Sequence, residues 1–290
     1  MTILVLGASG MLGNAIFRIL SEHGDATVLG TVRSTKTNQF FIPVLASRLL
    51  VTENLEDLDA LELLFEQVKP QVVVNCVALK KPDLSDPMKS ISVFSLLPRR
   101  LACLCRRANA RLVLISSDGV FSGTRGRYTE DDLPDANDLY GIAKLLGEVS
   151  EPNVITLRTS IIGHELQGKD GLLEWFLSQG NQCRCYTKAI FSGFPTVVLA
   201  QVIRDVILPR PNLQGIYHVA TQPISKFDLL QLVAQRYGKC VALVPDDKIA
   251  IDRSLSAELF TKATGYVPPP WPELINSMYS YQYGLERRYV

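Results

Sequence analysis

The chain has 290 residues, 47% of them hydrophobic and 20% charged, which suits one large domain or up to two smaller ones around a sizeable core. Thirty basic and 29 acidic residues leave a formal charge of +1, so neither nucleic acid nor an anionic membrane is an expected partner. No apolar run approaches the ~18 residues of a membrane span and no signal segment precedes the first strand, so a cytoplasmic location is expected.

Six cysteines and three histidines do not assemble a metal pattern. Cys103 and Cys105, like Cys183 and Cys185, are separated by one residue rather than the two of a zinc or redox motif. His23, His164 and His218 stand away from them, so reduced thiols and no metal are expected.

In chain order, residues 2–8 form an apolar run that reads as a buried parallel strand. Gly7-Ala-Ser-Gly10-Met-Leu-Gly13 follows, and 14–20 carry helical periodicity. Strand, glycine turn and helix in that order are the setting of a dinucleotide fingerprint. Gly7, Ser9, Gly10, Met11, Leu12 and Gly13 are the candidates to hold a pyrophosphate on the free N–H groups of the helix. A second strand over 26–32 ends in Arg33, with Lys36 soon after, where an NAD binder usually places an acid. A guanidinium suits a 2′-phosphate, so NADP(H) is preferred and NAD(H) stays open.

A short strand over 49–54 precedes an acidic amphipathic helix over 55–68, with Asn54 and Leu55 placed to meet adenine. The run 71–78 is a fourth strand ending in Asn75, with Ala78 just beyond it; both are candidates for the cofactor crevice. Residues 90–109 predict a long helix interrupted at Pro98, and 111–115 a fifth strand that delivers Ser116-Ser117-Asp118. Alternating strands and helices with short links predict a doubly wound parallel sheet, whose ligands lie beyond the carboxyl ends of the strands. Gly10, Asn75, Ser117 and Tyr140 all map to that rim.

Tyr140-Gly-Ile-Ala-Lys144 puts a phenol and an ammonium one helical turn apart, with Glu148 following. Alone, such a pair is an ordinary surface helix face. Beside a glycine loop and a strand-end serine, the lysine is expected to favour the phenolate and lower the tyrosine pKa from ~10. Ser117, Tyr140 and Lys144 are then the candidate catalytic group for hydride addition to a ketone: Tyr140 moves the proton, Ser117 shares the developing charge, and Lys144 holds the nicotinamide ribose. Ser117 could equally cap the turn that follows it.

Beyond a sixth strand over 153–160 the pattern loosens. A short helix is expected over 171–179, a strand over 182–191, a helix over 196–208, a strand over 215–220, a helix over 225–237 and a strand over 241–245. The proline-rich run 267–272 leads to a last helix over 273–283. The expected division is a dinucleotide-binding part, 1–162 with a return at about 196–222, and a smaller α/β substrate part, 163–195 and 223–290.

Gly7-x-x-Gly10-x-x-Gly13, Ser117-Asp118 and Tyr140-x-x-x-Lys144 together resemble the extended short-chain dehydrogenases/reductases. Ser116-Ser-Asp-Gly-Val-Phe-Ser-Gly123, Tyr128-Thr-Glu130-Asp131-Asp132, Tyr140 to Glu148, Leu157-Arg-Thr-Ser-Ile-Ile-Gly163 and Asp252-Arg-Ser-Leu-Ser256 are similar to the dTDP-4-dehydrorhamnose reductases among them. The resemblance implies a Rossmann-like fold and NAD(P)H-dependent reduction of the 4-keto group of a nucleotide-linked 6-deoxyhexose, for polysaccharide or O-antigen precursors. It carries the catalytic roles onto Ser117 (usually threonine), Tyr140 and Lys144, and adds Ser116 to the cofactor site. It implies substrate contacts at Lys80, Asp118, Val120 and Thr196, within or beside a substrate-facing segment over 187–196. Gly119 stands where an aromatic residue is usual, and 135–139 replaces a proline-rich lead-in. A homodimer stays open.

Three alternatives follow from the same residues. A dehydratase needs an extra acid where Gly119 stands, and a 4-epimerase favours an acid at Arg33. A binding subunit of another enzyme would keep the nucleotide site without using Ser117, Tyr140 and Lys144 for reduction.

Overall fold

The computed structural model describes residues 1–281 apart from positions 23 and 25. The first strand, β1 (Thr2–Leu6), is an uninterrupted aliphatic run, and it runs through Gly7 into α1 (Met11–Ser21). β2 (Thr27–Val32), α2 (Pro43–Ala46), β3 (Leu49–Val51), α3 (Leu58–Val68) and β4 (Val72–Asn75) follow. Then come α4 (Pro87–Ile91), α5 (Leu97–Arg107), β5 (Arg111–Ile115), α6 (Leu139–Leu146) and β6 (Val154–Arg158). β4 and β6 are buried along their whole length, as parallel strands covered on both faces must be.

The remaining elements are β7 (Ile161–Ile162), α7 (Leu172–Leu177), β8 (Gln182–Phe191), β9 (Phe194–Pro195), α8 (Thr196–Val202) and β10 (Gly215–His218). β11 (Ile224–Ser225), α9 (Lys226–Tyr237), β12 (Ala242–Asp252), α10 (Glu258–Thr264) and α11 (Trp271–Ser280) complete the described chain. Among the described residues the main sheet has seven parallel strands in the order β10-β6-β5-β4-β1-β2-β3. The order reverses between β1 and β4, which opens a crevice above their carboxyl ends. One apolar layer packs α1 and α8 against the sheet; the other packs α3 and α5 on the opposite face. A second, three-stranded sheet, β11-β8-β12, is covered by α9.

Several expectations need correction. The helix expected over 90–109 starts at Pro87, where Asp86 accepts from the N–H groups of Met88 and Lys89 at 3.0 and 3.3 Å. Its interruption is a widened π turn over Ser92–Leu96, closed by Leu97 N–H to Ser92 O, rather than a break at Pro98. Pro98 has no N–H to give Phe94, so the wider turn ahead of it releases a carbonyl that cannot be used. A similar turn over Ile203–Ile207 ends the helix expected to run regularly to 208. The strand expected over 241–245 is eleven residues long, β12, with a register shift between Asp246 and Ala250. Its Pro245 and its charged residues are acceptable because it is an edge strand. The expected end of the last helix at 283 and His23 lie outside the described residues.

The glycine loop shows why these positions carry no side chain. Gly7 has φ +78°, a left-handed value that costs other residues energy. A Cβ on Gly13 would lie 2.1 Å from the carbonyl oxygen of Gly7, so the loop and α1 touch through bare backbone. Gly13→Ala is expected to lower stability by roughly 2 kcal/mol or more. A urea midpoint equal to that of the unmodified protein would contradict this packing.

Candidate active site

β5 hands the chain to Ser116-Ser117-Asp118 without releasing it from the sheet. Ser116 N–H donates to Leu157 O at 2.7 Å and Asp118 N–H to Thr159 O at 3.1 Å, so the turn is pinned to β6 and the residues after it. Ser117 is buried; its Oγ accepts the Gly119 N–H at 2.9 Å and donates to Asp118 Oδ1 at 3.2 Å. It therefore caps the turn, as the local reading allowed, while also facing the site.

Tyr140 sits in the first turn of α6, and its ring and the Ser117 hydroxyl flank Gly119. Gly119 makes this approach feasible: a Cβ there would lie 3.0 Å from Tyr140 Cε1 and 3.1 Å from Ser117 Oγ. Phe94 supports the phenol ring edge-on at 5.4 Å. Asp138 caps α6 by accepting from Gly141 N–H at 2.7 Å, and its second oxygen takes Arg253 Nη2 at 3.2 Å. Residues 115 apart in the chain thus fix the start of the tyrosine helix.

The charges differ from the expectation. Burial raises the pKa of Tyr140, the Asp118 and Asp138 carboxylates add to the rise, and Ser117 and Arg253 oppose it. The phenol is thus held in its proton-donating form. Lys144 does not offset this: its Nζ donates to Ile115 O at 2.7 Å and lies 5.1 Å from the Phe94 ring. A desolvated ammonium takes the nearest strong acceptor, here the last carbonyl of β5. Burial lowers its pKa to about 8, against the pull of Glu148 and Cys76. Burial also pushes Cys76 up to about 12. Asp118 is raised to about 6 by burial, opposed by its hydrogen bond from Ser117 and by Arg253 and Lys226.

Beneath the site lies a buried polar network that sequence reasoning did not assemble. Arg158 reaches Glu148 through Nε at 2.9 Å and Nη2 at 2.8 Å, both side chains being 5% exposed. Ser116 Oγ donates to Glu148 Oε1 at 2.6 Å, so this hydroxyl is used by the framework rather than turned to the cofactor crevice. His218 Nε2 lies 3.2 Å from Arg158 Nη1, and its Nδ1 3.0 Å from Tyr128 O.

The glycine loop and the first turn of α1 form a cradle for an anion. Gly10 occupies the N-cap without a side-chain cap, so first-turn N–H groups remain for a ligand. A Cβ on Gly10 would meet only the carbonyl oxygens of Gly7 and Cys76, at 3.4 and 3.9 Å. Ser9, Met11 and Leu12 belong to the same turn. Asn75 ends β4 with Oδ1 accepting from Val77 N–H at 3.2 Å, and Ala78 is exposed beyond it. Arg33 is exposed at the end of β2, and Asn54 and Leu55 follow β3. This set fits a dinucleotide, with a basic group where a 2′-phosphate would lie.

Four expected substrate residues fare differently. Asp118 is at the site. Lys80 is exposed, ahead of the 3-10 turn Lys81–Ser85 that follows β4. Val120 is fully buried against Phe121, Tyr128 and Leu255, leaving no face for a substrate. Thr196 is buried at the start of α8 with its side chain against Gly163. The segment over 187–193 is mostly taken up by the second sheet and by Ser192, which accepts Leu255 N–H at 3.1 Å. Lys226 and Arg253, absent from the expected set, act on the Asp118 charge through space; Arg253 falls in the Asp252–Ser256 motif, whereas nothing local marked Lys226.

Comparison with known proteins adds the following. The family model described as "RmlD substrate binding domain" matches residues 1–281. The chain is 27% identical over 295 residues to "Methionine adenosyltransferase 2 subunit beta" of Xenopus tropicalis, covering 93% of this chain and 79% of that protein. It is 27% identical to "Probable low-salt glycan biosynthesis reductase Agl14" of Haloferax volcanii, covering 86% and 85%. The fold matches dTDP-4-dehydrorhamnose reductase of Bacillus anthracis, crystallised with NADP, with a TM-score of 0.78, 19% identity and coverage of 96% and 98%.

Burial, with the adjacent Arg158 charge second, lowers the His218 pKa to about 4. The unfolded chain takes up this proton below pH ~6.5, while the folded chain refuses it until about pH 4, so stability is lost as pH falls through that window. The loss from this residue is expected to reach roughly 3 kcal/mol. His218 ring resonances that titrate with a midpoint near ~6.5 would refute the assignment.

Proposed function

Since this chain belongs to the RmlD substrate binding domain family, we propose that it is an NADPH-dependent reductase of a nucleotide-activated 4-keto-6-deoxy sugar. The observation that carries this reading is the approach of the Tyr140 phenol and the Ser117 hydroxyl across Gly119, at the carboxyl rim that also holds the glycine cradle. The named similarity to a glycan biosynthesis reductase and to a fold crystallised with NADP supports it.

Gly7, Ser9, Gly10, Met11, Leu12 and Gly13 would hold the pyrophosphate, Arg33 the 2′-phosphate, and Asn54, Leu55, Asn75 and Ala78 would line the rest of the groove. Bound reduced nicotinamide would supply the hydride to the carbonyl carbon. Tyr140, kept neutral by burial, donates its proton to the carbonyl oxygen as charge develops there. Ser117 donates a hydrogen bond to the same oxygen. Lys144, with a pKa brought to about 8, would hold the nicotinamide ribose. The parts of the chain outside the main sheet, 163–195 and 223–290, would enclose the sugar nucleotide, with Lys226 and Arg253 brought to Asp118 from that side. Gly119 offers no side chain for the second acid of a dehydratase.

A second reading is a binding subunit of another enzyme, favoured by the similarity to methionine adenosyltransferase 2 subunit beta over 93% of the chain. NADPH absorbance with 4-keto-6-deoxy nucleotide sugars separates the two. The reductase reading expects turnover that falls by ~10²–10⁴-fold in Tyr140→Phe with NADPH affinity little changed. NADPH binding without turnover of any such sugar would favour the subunit. Arg33→Ala is expected to weaken NADPH by about 10-fold or more and leave NADH nearly unaffected; equal losses for both would remove the 2′-phosphate assignment.

A further inference from the structure

The helical stretch that begins at Pro87 departs from regular geometry where it meets the tyrosine helix. A wider turn advances each residue through a smaller angle. The π turn over Ser92–Leu96 thus buries Val93, Phe94 and Ser95 in succession, with Ile91 and Leu96 exposed on either side. Two contacts then fix the level of Phe94 against α6. Ser95 Oγ donates to Ala143 O at 2.8 Å, and Gly147 leaves room for the Phe94 carbonyl oxygen, on which a Cβ would fall. The Phe94 ring consequently reaches both members of the pair. It lies 5.4 Å from the Tyr140 ring at an interplanar angle of 86°, and 5.1 Å from the Lys144 ammonium. We propose that Phe94 is the positioning residue for this pair: its ring sets the plane of the Tyr140 phenol, and its π face keeps Lys144 a cation.

In the reductase reading, on which this role rests, the phenol must meet a carbonyl oxygen and the cation must hold a ribose. Tyr140 and Lys144 stand one turn apart on the same face of α6, so a single ring laid across that face touches both. For Tyr140 the ring is a wall. Aromatic pairs near a right angle are a favoured arrangement, and a phenol packed in one has little freedom to rotate. Val93 and Ala143 complete the buried cluster around the contact. An aliphatic side chain at 94 would fill part of the space without giving the phenol a direction.

For Lys144 the ring is a partner. A buried ammonium has three N–H donors to satisfy. Ile115 O takes one at 2.7 Å, and the negative face of the Phe94 ring attracts the charge itself. The neighbouring carboxylate is already engaged, since Glu148 accepts two donors from Arg158 and one from Ser116. The aromatic face therefore supports the cation without an ion pair that would tie it down. The titratable groups acting on Lys144 are Glu148, one turn on along α6, and Cys76 beyond β4; both favour the ammonium. Tyr140 stands one turn ahead, while β5 and the π turn face it with Ile115 and Phe94, which carry no charge.

Fluorination separates the two roles, because difluoro- and trifluorophenylalanine in place of Phe94 keep the shape of the ring while draining negative charge from its face. In protein carrying isotopically labelled lysine, the Lys144 side-chain resonance is identified by its loss in Lys144→Met. A weaker π face favours the neutral amine, so the Lys144 titration midpoint is expected to fall stepwise along the series, by ~0.3–0.7 pH unit in all. This readout needs no turnover. Single-turnover NADPH oxidation at saturating cofactor reads the other role. Phe94→Leu is expected to lower the plateau rate by ~10–100-fold. The trifluoro variant should keep that plateau and move only its alkaline limb, to lower pH, by the shift seen in the titration. A midpoint unmoved by fluorine overturns the cation role even in an active reductase, and it does so whether or not Phe94→Leu folds. An unchanged plateau in Phe94→Leu overturns the positioning of Tyr140. A falling midpoint in a protein that reduces no 4-keto sugar would count against the reductase reading and leave the cation role standing.

Discussion

The site depends on the buried pairing of Glu148 with Arg158. Two opposite charges at 5% exposure are costly to desolvate, and the cost is tolerable only because nearly every polar atom is engaged. Glu148 takes two donors from Arg158 and one from Ser116, and Arg158 also meets His218. These contacts join the end of α6, the end of β5, β6 and β10 at one point. Tyr140 and Ser117 lie on two of those elements, so their separation is set by this pair together with the Asp138 cap above it. Leaving either charge without the other would strand an ion in the interior, typically a loss of ~3–5 kcal/mol.

Around that anchor the site works by desolvation more than by direct ion pairing. Asp118 is pushed up to about 6 and Lys144 down to about 8, while the phenol of Tyr140 is raised. Groups that would differ by many pH units in water are drawn toward neutrality. Such convergence in a crevice is characteristic of places where protons are moved. The direction also matters: a neutral phenol favours donation, the requirement for carbonyl reduction, whereas the phenolate expected from Lys144 would favour the reverse.

The first half of the fold was legible because parallel strands buried on both faces read as aliphatic runs, as in β1, β4 and β6. The glycine spacing was legible because Gly13 meets the Gly7 carbonyl and no other residue fits there. Legibility failed where local pattern and packing diverge. β12 runs on past the expected end at Pro245 through Asp246, Asp247 and Lys248, charges that suit an exposed edge. Val120 and Thr196 follow site residues in sequence, yet both turn into the interior, since neighbours along a chain do not share a direction. The π turn over Ser92–Leu96 shows the same limit, because Pro98 announces a defect but not which turn absorbs it.

Sequence alone determined the alternation of strands and helices, the cradle at the first turn, and the residue types Ser117, Tyr140 and Lys144 at the rim. These follow from periodicity and spacing, which act over a few residues. Tertiary structure decided what each group faces. Arg253 and Lys226 arrive from the far end of the chain, Lys144 finds the Ile115 carbonyl, and Ser116 is drawn to Glu148. Desolvation and long-range charge depend on the distances between elements, and a linear pattern does not contain those distances.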